Sequence, residues 1–202
     1  MRTLTLAVPL GVLTISSFVG VAFMPLLLAR APLALIALSP LFRHLVLAAP
    51  TVDAASLFAV AVPRHFLPDP FAYLLGREYG PAAVTWAEAN SPLLGRLVRA
   101  LERLFSKVGP VALLLSPDVI ASTLAGAARV PLPLFVVMNL LGTLGTVAVA
   151  RWFGTALDRP IHALVGFFQG HLAVVTAASV ILVVALNAWS SRRKAGGEGG
   201  GP

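Results

Sequence analysis

Long stretches of this chain are apolar, without the regular polar positions that mark a soluble helix or strand. Three uncharged runs stand out, residues 4–28, 131–150 and 172–189. Each approaches the roughly 20 apolar residues that a helix needs to cross a hydrocarbon core about 30 Å thick. The pattern therefore predicts three membrane-spanning helices.

A fourth span is predicted within residues 54–76, although polar side chains interrupt its apolar pattern. Arg64, His65 and Asp69 lie inside it, and three prolines would kink the helix. A broken helix is tolerated at membrane depth only where protein or a water-filled cavity satisfies the freed backbone groups. We therefore expect this helix to be buried in a bundle.

Two shorter apolar stretches, residues 31–48 and 110–129, are broken by prolines. Both flanks of residues 110–129 are expected on the cytoplasmic side, so this stretch must enter and leave the membrane on one face. Residues 31–48 have the matching position on the outer side. The predicted fold is an all-α, polytopic membrane helix bundle with about four spanning helices and two opposed re-entrant hairpins, an arrangement that transporters use to form a site near the midplane.

The composition agrees with a membrane protein, since 58% of the residues are hydrophobic and only 11% are charged. One membrane-embedded domain over residues 1–190 is expected, followed by a disordered cytoplasmic tail over residues 191–202. The net charge of +7 sets the predicted topology. If the basic tail is cytoplasmic, most other Lys and Arg residues fall on the same side, as the positive-inside rule requires. This predicts a multi-pass protein of the cell (inner) membrane with both termini cytoplasmic.

Residues 78–108 form the one substantial polar stretch and are predicted to be a cytoplasmic amphipathic connector. Arg96, Arg99, Arg103 and Lys107 share one narrow sector of a helix, with apolar residues on another. Such a helix could attract anionic lipid headgroups at the membrane surface. The alternative is a solvated connector whose charges only set topology.

Acidic residues at membrane depth are candidates for a substrate or proton pathway, because charge there is expensive. Asp118 follows Ser116 and Pro117 at the predicted tip of the second hairpin, and Asp69 lies in the fourth span. Either carboxylate could carry a proton whose release changes the preferred conformation. The alternatives are an ion pair with an arginine, Arg43 or Arg64, or simple helix capping.

Arg43 is expected at the tip of the first hairpin, facing outward. A guanidinium there could hold a lipid phosphate with two hydrogen bonds. Snorkelling of the side chain to the interface explains the same position equally well. Asp53, just before the fourth span, is predicted to be a helix N-cap.

Three segments, taken in order, carry a family resemblance. They are residues 73–80 (YLLGREYG), residues 102–109, and residues 124–131 (LAGAARVP), the last followed by Phe135 and Asn139. This order resembles the DedA family, also called SNARE-associated or VTT-domain proteins. In that family a Gly-Arg-x-x-Gly turn, a basic linker, a re-entrant hairpin and an Ala-Gly-x-x-Arg-x-Pro turn follow one another. The resemblance covers about residues 68–154 and implies a protein that moves lipids, such as polyprenyl phosphates or phospholipids, across bilayers.

The chain departs from the family pattern within both hairpins. Members carry an arginine shortly after the proline of the second hairpin, whereas here Pro117 is followed by Asp118 and no arginine comes before Arg129. The first hairpin offers Arg43 and His44 where a glutamate is expected. The resemblance thus indicates a divergent member that lacks the phosphate-binding arginine of the second hairpin.

The predicted function is that of a lipid or lipid-phosphate translocase or scramblase. Whether transport is coupled to protons is left open. The expected partners are membrane lipids through their anionic headgroups or phosphates, not nucleic acid, and a homo-oligomer is left open. No cofactor or metal site is expected. The chain lacks the zinc-protease and serine-hydrolase motifs of an intramembrane enzyme. A non-transporting scaffold or envelope-homeostasis factor is the main alternative.

Overall fold

The structure is a computed structural model that describes residues 2–90, 108 and 110–197. Every regular element in this part of the chain is a helix, so the all-α prediction is confirmed. The first half contains α1 (Arg2–Ala22), α2 (Met24–Arg30), α3 (Pro32–Leu38), α4 (Phe42–Ala48), a short 3-10 helix (Ala49–Thr51) and α5 (Ala54–Phe66). Then come α6 (Pro68–Asn90), helical residues 110–115, α7 (Val119–Ala127), α8 (Leu132–Ala156), α9 (Asp158–Gly170) and α10 (Leu172–Gly197).

The described residues contain one to three candidate membrane spans, judged by length and hydropathy. Helix α8 qualifies by itself. Helices α1 and α2 qualify as a pair that bends by 78°, and α9 and α10 qualify as a pair that bends by 97°. The chain is therefore a candidate membrane protein, as its composition predicts.

Two of the predicted spans are interrupted in the structure. The apolar pattern of residues 4–28 predicts one spanning helix, but the chain bends at Phe23, where Pro25 occupies the first turn of α2. Residues 54–76 were expected to form one kinked span, but α5 and α6 separate at Leu67. In both places a proline lies in the first turn of the new helix, Pro25 in α2 and Pro68 in α6, where its missing N–H group does no harm.

Helix α6 also runs past residue 76, where the fourth span was expected to end, and continues to Asn90. The first part of the predicted connector, residues 78–90, is therefore a continuation of α6. The rest of the connector, with Arg96, Arg99, Arg103 and Lys107, lies outside the described residues, apart from residue 108. Residues 191–197 of the predicted tail extend α10, residues 198–202 lie outside the described residues, and the disorder of the tail stays a prediction.

Two hydrophobic clusters organise the described part of the bundle, and α8 contributes to both. The first cluster contains side chains from each of the helices α2 through α5, from the 3-10 helix, and from α8 and α9. Its buried members are Leu28, Leu35, Ile36, Leu45, Ala48, Ala49, Leu57, Ala61, Val147, Ala150, Ile161 and Val165. The second joins α6, residues 110–115, α7 and the start of α8 through Tyr73, Leu113, Ala121, Ala125, Val130 and Phe135. The first proline-broken stretch thus packs on the later half of α8, and the second packs on its earlier half.

Glycines allow the backbone of the second proline-broken stretch to contact the backbones of α6 and α8 directly. A Cβ atom on Gly126 would collide with the carbonyl oxygen of Tyr73 in α6, and one on Gly76 would collide with the carbonyl oxygen of Thr123 in α7. Likewise, a Cβ atom on Gly142 of α8 would lie 2.5 Å from the carbonyl oxygen of Leu113. Small residues at such contacts are typical of helices that pack closely in membranes.

Candidate functional site

The two proline-broken stretches are interrupted at the same tripeptide, Leu-Ser-Pro, at residues 38–40 and 115–117. In each case the serine makes the last helical hydrogen bond: Ser39 N donates to Leu35 O at 2.8 Å, and Ser116 N donates to Ala112 O at 2.8 Å. The following proline has no N–H group and ends the helix. We call residues 39–41 the first break and residues 116–118 the second break.

His65, near the end of α5, lies between the two breaks. Its Nδ1 atom is 3.3 Å from the carbonyl oxygen of Pro40, and its Nε2 atom is 3.1 Å from the carbonyl oxygen of Pro117. One imidazole therefore contacts the backbone of both broken stretches. This contact places the two breaks side by side at the junction of α5 and α6.

Arg64, next to His65, satisfies the carbonyl groups that the first break leaves free. Its Nε atom donates to Ala37 O at 2.7 Å, and its Nη2 atom donates to Leu38 O at 2.9 Å and to Ser16 Oγ at 2.8 Å. Weaker or longer contacts reach Leu13 O and the Ser17 hydroxyl. All of these acceptors are neutral, so the guanidinium charge has no carboxylate partner among the described residues.

Asp118 at the second break is the N-cap of α7. Its Oδ1 atom accepts a hydrogen bond from Ala121 N at 2.8 Å, and its Oδ2 atom accepts one from Ser116 Oγ at 2.9 Å. Both side chains are exposed, whereas Pro117 is buried. The capping alternative considered for Asp118 is therefore confirmed, which explains how α7 begins directly after a proline.

Asp69, one turn beyond His65, belongs to a buried polar cluster. Asn139 Nδ2 donates to Asp69 Oδ2 at 3.0 Å and also lies 3.2 Å from Ser122 Oγ. Asp69 is 1% exposed, and Asn139, Ser122 and Thr143 are fully buried. Within the described residues, Asp69 Oδ1, Asn139 Oδ1 and Thr143 Oγ1 have no hydrogen-bond partner. Burying a carboxylate without a neighbouring cation is costly, so this cluster is an unusual feature of the interior.

Two cavities flank the contact between His65 and the second break. One, of about 220 Å³, lies against α1 and is also lined by Arg64, Asp69 and the first break. The other, of about 490 Å³, lies against the middle of α8. His65, Pro117 and Asp118 line both cavities, so these residues form the partition between them.

Arg43 lies apart from this junction. It is exposed on α4, its Nε atom is 3.5 Å from His44 Nε2, and it lines a separate cavity of about 410 Å³ between α1 and α10. His44 itself is buried, with Nδ1 3.0 Å from Ser39 O at the first break. Neither Asp69 nor Asp118 forms an ion pair with Arg43 or Arg64, so that alternative for the two acids is wrong.

The structure thus brings together four of the predicted pathway residues, Asp69, Ser116, Pro117 and Asp118. It adds three side chains whose roles the sequence pattern did not indicate: His65, Arg64 as a backbone clamp, and Asn139 as the partner of Asp69. The repeated Leu-Ser-Pro tripeptide is the signal that could have pointed to a shared junction. No group of three or more His, Cys, Asp or Glu side chains among the described residues could hold a metal ion.

No family model, curated protein or solved structure matches this chain.

Proposed function

We propose that this chain is a divergent DedA-type membrane protein that moves lipids or lipid phosphates across the bilayer between two opposed re-entrant hairpins. One observation carries the proposal: His65 contacts the breaks of both hairpins, between two cavities. In transporters, substrate sites form where discontinuous helices meet near the midplane. Backbone freed at such breaks is tolerated in lipid only where it lines a cavity or is buried in protein.

The packing on α8 supports opposed hairpins. The second hairpin contacts this candidate span near Gly142, and the first contacts it near Gly154, through Val46 and Ala49. These positions are twelve residues apart, about 18 Å along a helix axis. If the two hairpins enter from opposite faces of the membrane, the base of each hairpin lies near one end of α8. The two breaks then lie between these ends. With α8, the two bent pairs and the α5–α6 segment as spans, both termini lie in the cytoplasm of a multi-pass inner-membrane protein.

Arg64 supports an anionic substrate group. It is half-buried, lines the smaller cavity, and has only neutral oxygen partners among the described residues. An unneutralised cation at membrane depth is expensive and usually marks a substrate or ion pathway. A phosphate headgroup in the cavity would supply the missing negative charge and would replace the hairpin arginine that the family pattern leads one to expect.

Translocation by the purified protein in liposomes tests the proposal, with labelled anionic, zwitterionic and polyprenyl-phosphate lipids. Asp118→Asn removes the carboxylate from both cavities but retains an N-cap side chain, so the protein should fold while transport falls. Asp53→Asn is the matched control, because Asp53 is also an N-cap and accepts from Ser56 N at 2.9 Å at an exposed site far from the junction. That hydrogen bond holds the pKa of the Asp53 carboxyl below its usual range.

Movement of one lipid class that Asp118→Asn abolishes and Asp53→Asn preserves would support a translocase. No movement of any lipid by a well-folded protein would refute it. The second candidate function, a non-transporting scaffold, is favoured by the five protein oxygens that surround the Arg64 guanidinium. In a scaffold, Arg64→Gln would unfold the junction, and no lipid would move in the parent.

A further inference from the structure

His65 faces two hydrogen-bond acceptors at once. The carbonyl oxygens of Pro40 and Pro117 can only accept, and they lie within 3.3 Å and 3.1 Å of the two ring nitrogens. A neutral imidazole has one N–H donor and one nitrogen lone pair, so it can bond to one of these oxygens while its lone pair faces the other. The protonated ring has two N–H donors and can bond to both.

Neither carbonyl has an alternative partner. Each lies at a helix break, and within the described residues the imidazole of His65 is its only hydrogen-bond partner. A carbonyl oxygen that faces a nitrogen lone pair instead of an N–H group loses its hydrogen bond, and the two partial negative charges repel each other. The protonation state of His65 therefore decides whether its ring donates a hydrogen bond to one break or to both.

Ionisable side chains of both kinds surround His65. Arg64 is its neighbour on α5 and lines the smaller cavity. Asp69 at the start of α6 and Asp118 at the second break each line a cavity that His65 also lines. Beside the first break, α4 carries Arg43 and His44, and His44 Nδ1 is 3.0 Å from Ser39 O. The lining residues from α1 and α8 carry no titratable side chain.

We propose that His65 is a proton-operated clasp between the two hairpins. When the ring is protonated, it donates to both breaks and keeps the two cavities apart. When the proton leaves, one carbonyl is released, the contact between His65 and that break opens, and the cavities join. The clasp is inferred from the geometry of His65 alone. Only the idea that its opening is a step of transport rests on the proposed function.

The chain has no cysteine, so a labelled pair of cysteines reports on the breaks without background. Leu41 is 40% exposed at the first break, and Leu115 is 78% exposed next to the second. In the Leu41→Cys, Leu115→Cys protein, distances between spin labels are measured in nanodiscs across about pH 5 to 8, where histidine side chains change charge. We expect one narrow distance at low pH and a second, different distance that grows as the pH rises.

His65→Gln, which offers only one donor group to the two carbonyls, should give the high-pH distribution at every pH. His162→Gln is the matched control, because His162 is exposed on α9, far from the breaks, and should respond to pH like the parent. A parent distribution that ignores pH would overturn the clasp. So would a pH response that survives in His65→Gln.

Histidine-selective ¹⁵N nuclear magnetic resonance of the parent provides a measurement that does not require the variant to fold. We expect both His65 nitrogens to carry protons wherever the low-pH distance dominates. A neutral His65 in that state would overturn the proposal. Because neither readout needs substrate, a clasp that works in a protein that moves no lipid would refute the proposed function alone, and transport without the pH response would refute the clasp alone.

Discussion

The close approach of α6 and α7 makes Gly126 the sharpest test of how the second proline-broken stretch packs on its neighbours. In Gly126→Ala, the new methyl group would meet the carbonyl oxygen of Tyr73 and, at 2.8 Å, the backbone nitrogen of Arg77. These are backbone atoms of a helix, so no side chain can rotate to make room. The substitution can be accommodated only if the whole of α7 moves away from α6.

The magnitude follows from two opposing effects. Overpacking of this kind destabilises proteins by about 1 to 3 kcal/mol, and a purely backbone contact belongs at the upper end. Replacing glycine by alanine within a helix stabilises it by about 1 kcal/mol. We therefore expect a net loss of about 2 kcal/mol, which corresponds to a fall in melting temperature of about 4 to 8 °C for a chain of this size.

The assay is thermal unfolding of the purified protein in detergent, followed by size-exclusion chromatography of the heated samples. Gly166→Ala is the matched control, since Gly166 is a glycine within α9 and no atom lies within 4 Å of the position that its new methyl group would take. It should gain stability and melt about 2 to 4 °C higher. If the two variants shift in the same direction, or Gly126→Ala melts with the parent, the seating of α7 on α6 is wrong.

Three further substitutions test other parts of the site. Arg129 has a φ angle of 55°, so Arg129→Gly should raise the free energy of unfolding by about 1 kcal/mol in chemical denaturation, whereas Arg129→Ala keeps the unfavourable backbone and should gain nothing. Arg64→Lys keeps the charge but loses the planar fork that reaches both Ala37 O and Ser16 Oγ, so it should destabilise the protein by about 2 to 4 kcal/mol in the same measurement. Asp69→Asn can still accept from Asn139 Nδ2, so it should melt near the parent, whereas Asp69→Leu cannot accept and should melt lower; equal melting of the two variants would contradict a structural role for this hydrogen bond.

Prolines made many of the helix breaks predictable, because a residue without an N–H group removes a helical hydrogen bond and often kinks or ends the helix. Pro40 and Pro117 end α3 and residues 110–115 as their positions indicate. Pro63 does not, since α5 continues through it for three more residues. The length of α6 was also unpredictable, because Gly76 and Gly80 suggested an end to the helix but instead receive the backbone of α7.

Only part of the candidate site could be predicted from the sequence, because several of its contacts join residues that are far apart along the chain. Asp118 and its neighbours form a local motif, in which a serine, a proline and a capping acid are adjacent. The contacts of His65 join residues 25 and 52 positions apart, and the bond between Asn139 and Asp69 joins residues 70 positions apart. Without the packing on α8, nothing in the local pattern distinguishes His65 from the other polar interruptions of its helix.

The spacing of two glycines along α8 sets where the two proline-broken stretches pack on it. At about 100° per residue, the twelve positions from Gly142 to Gly154 amount to three full turns and about 120° more, so the two stretches contact different faces of the helix. Inserting a single residue between these glycines would rotate one contact face by about 100° relative to the other and pull the two Leu-Ser-Pro breaks out of reach of a shared imidazole. The number of residues in this stretch is therefore as tightly constrained as their identity.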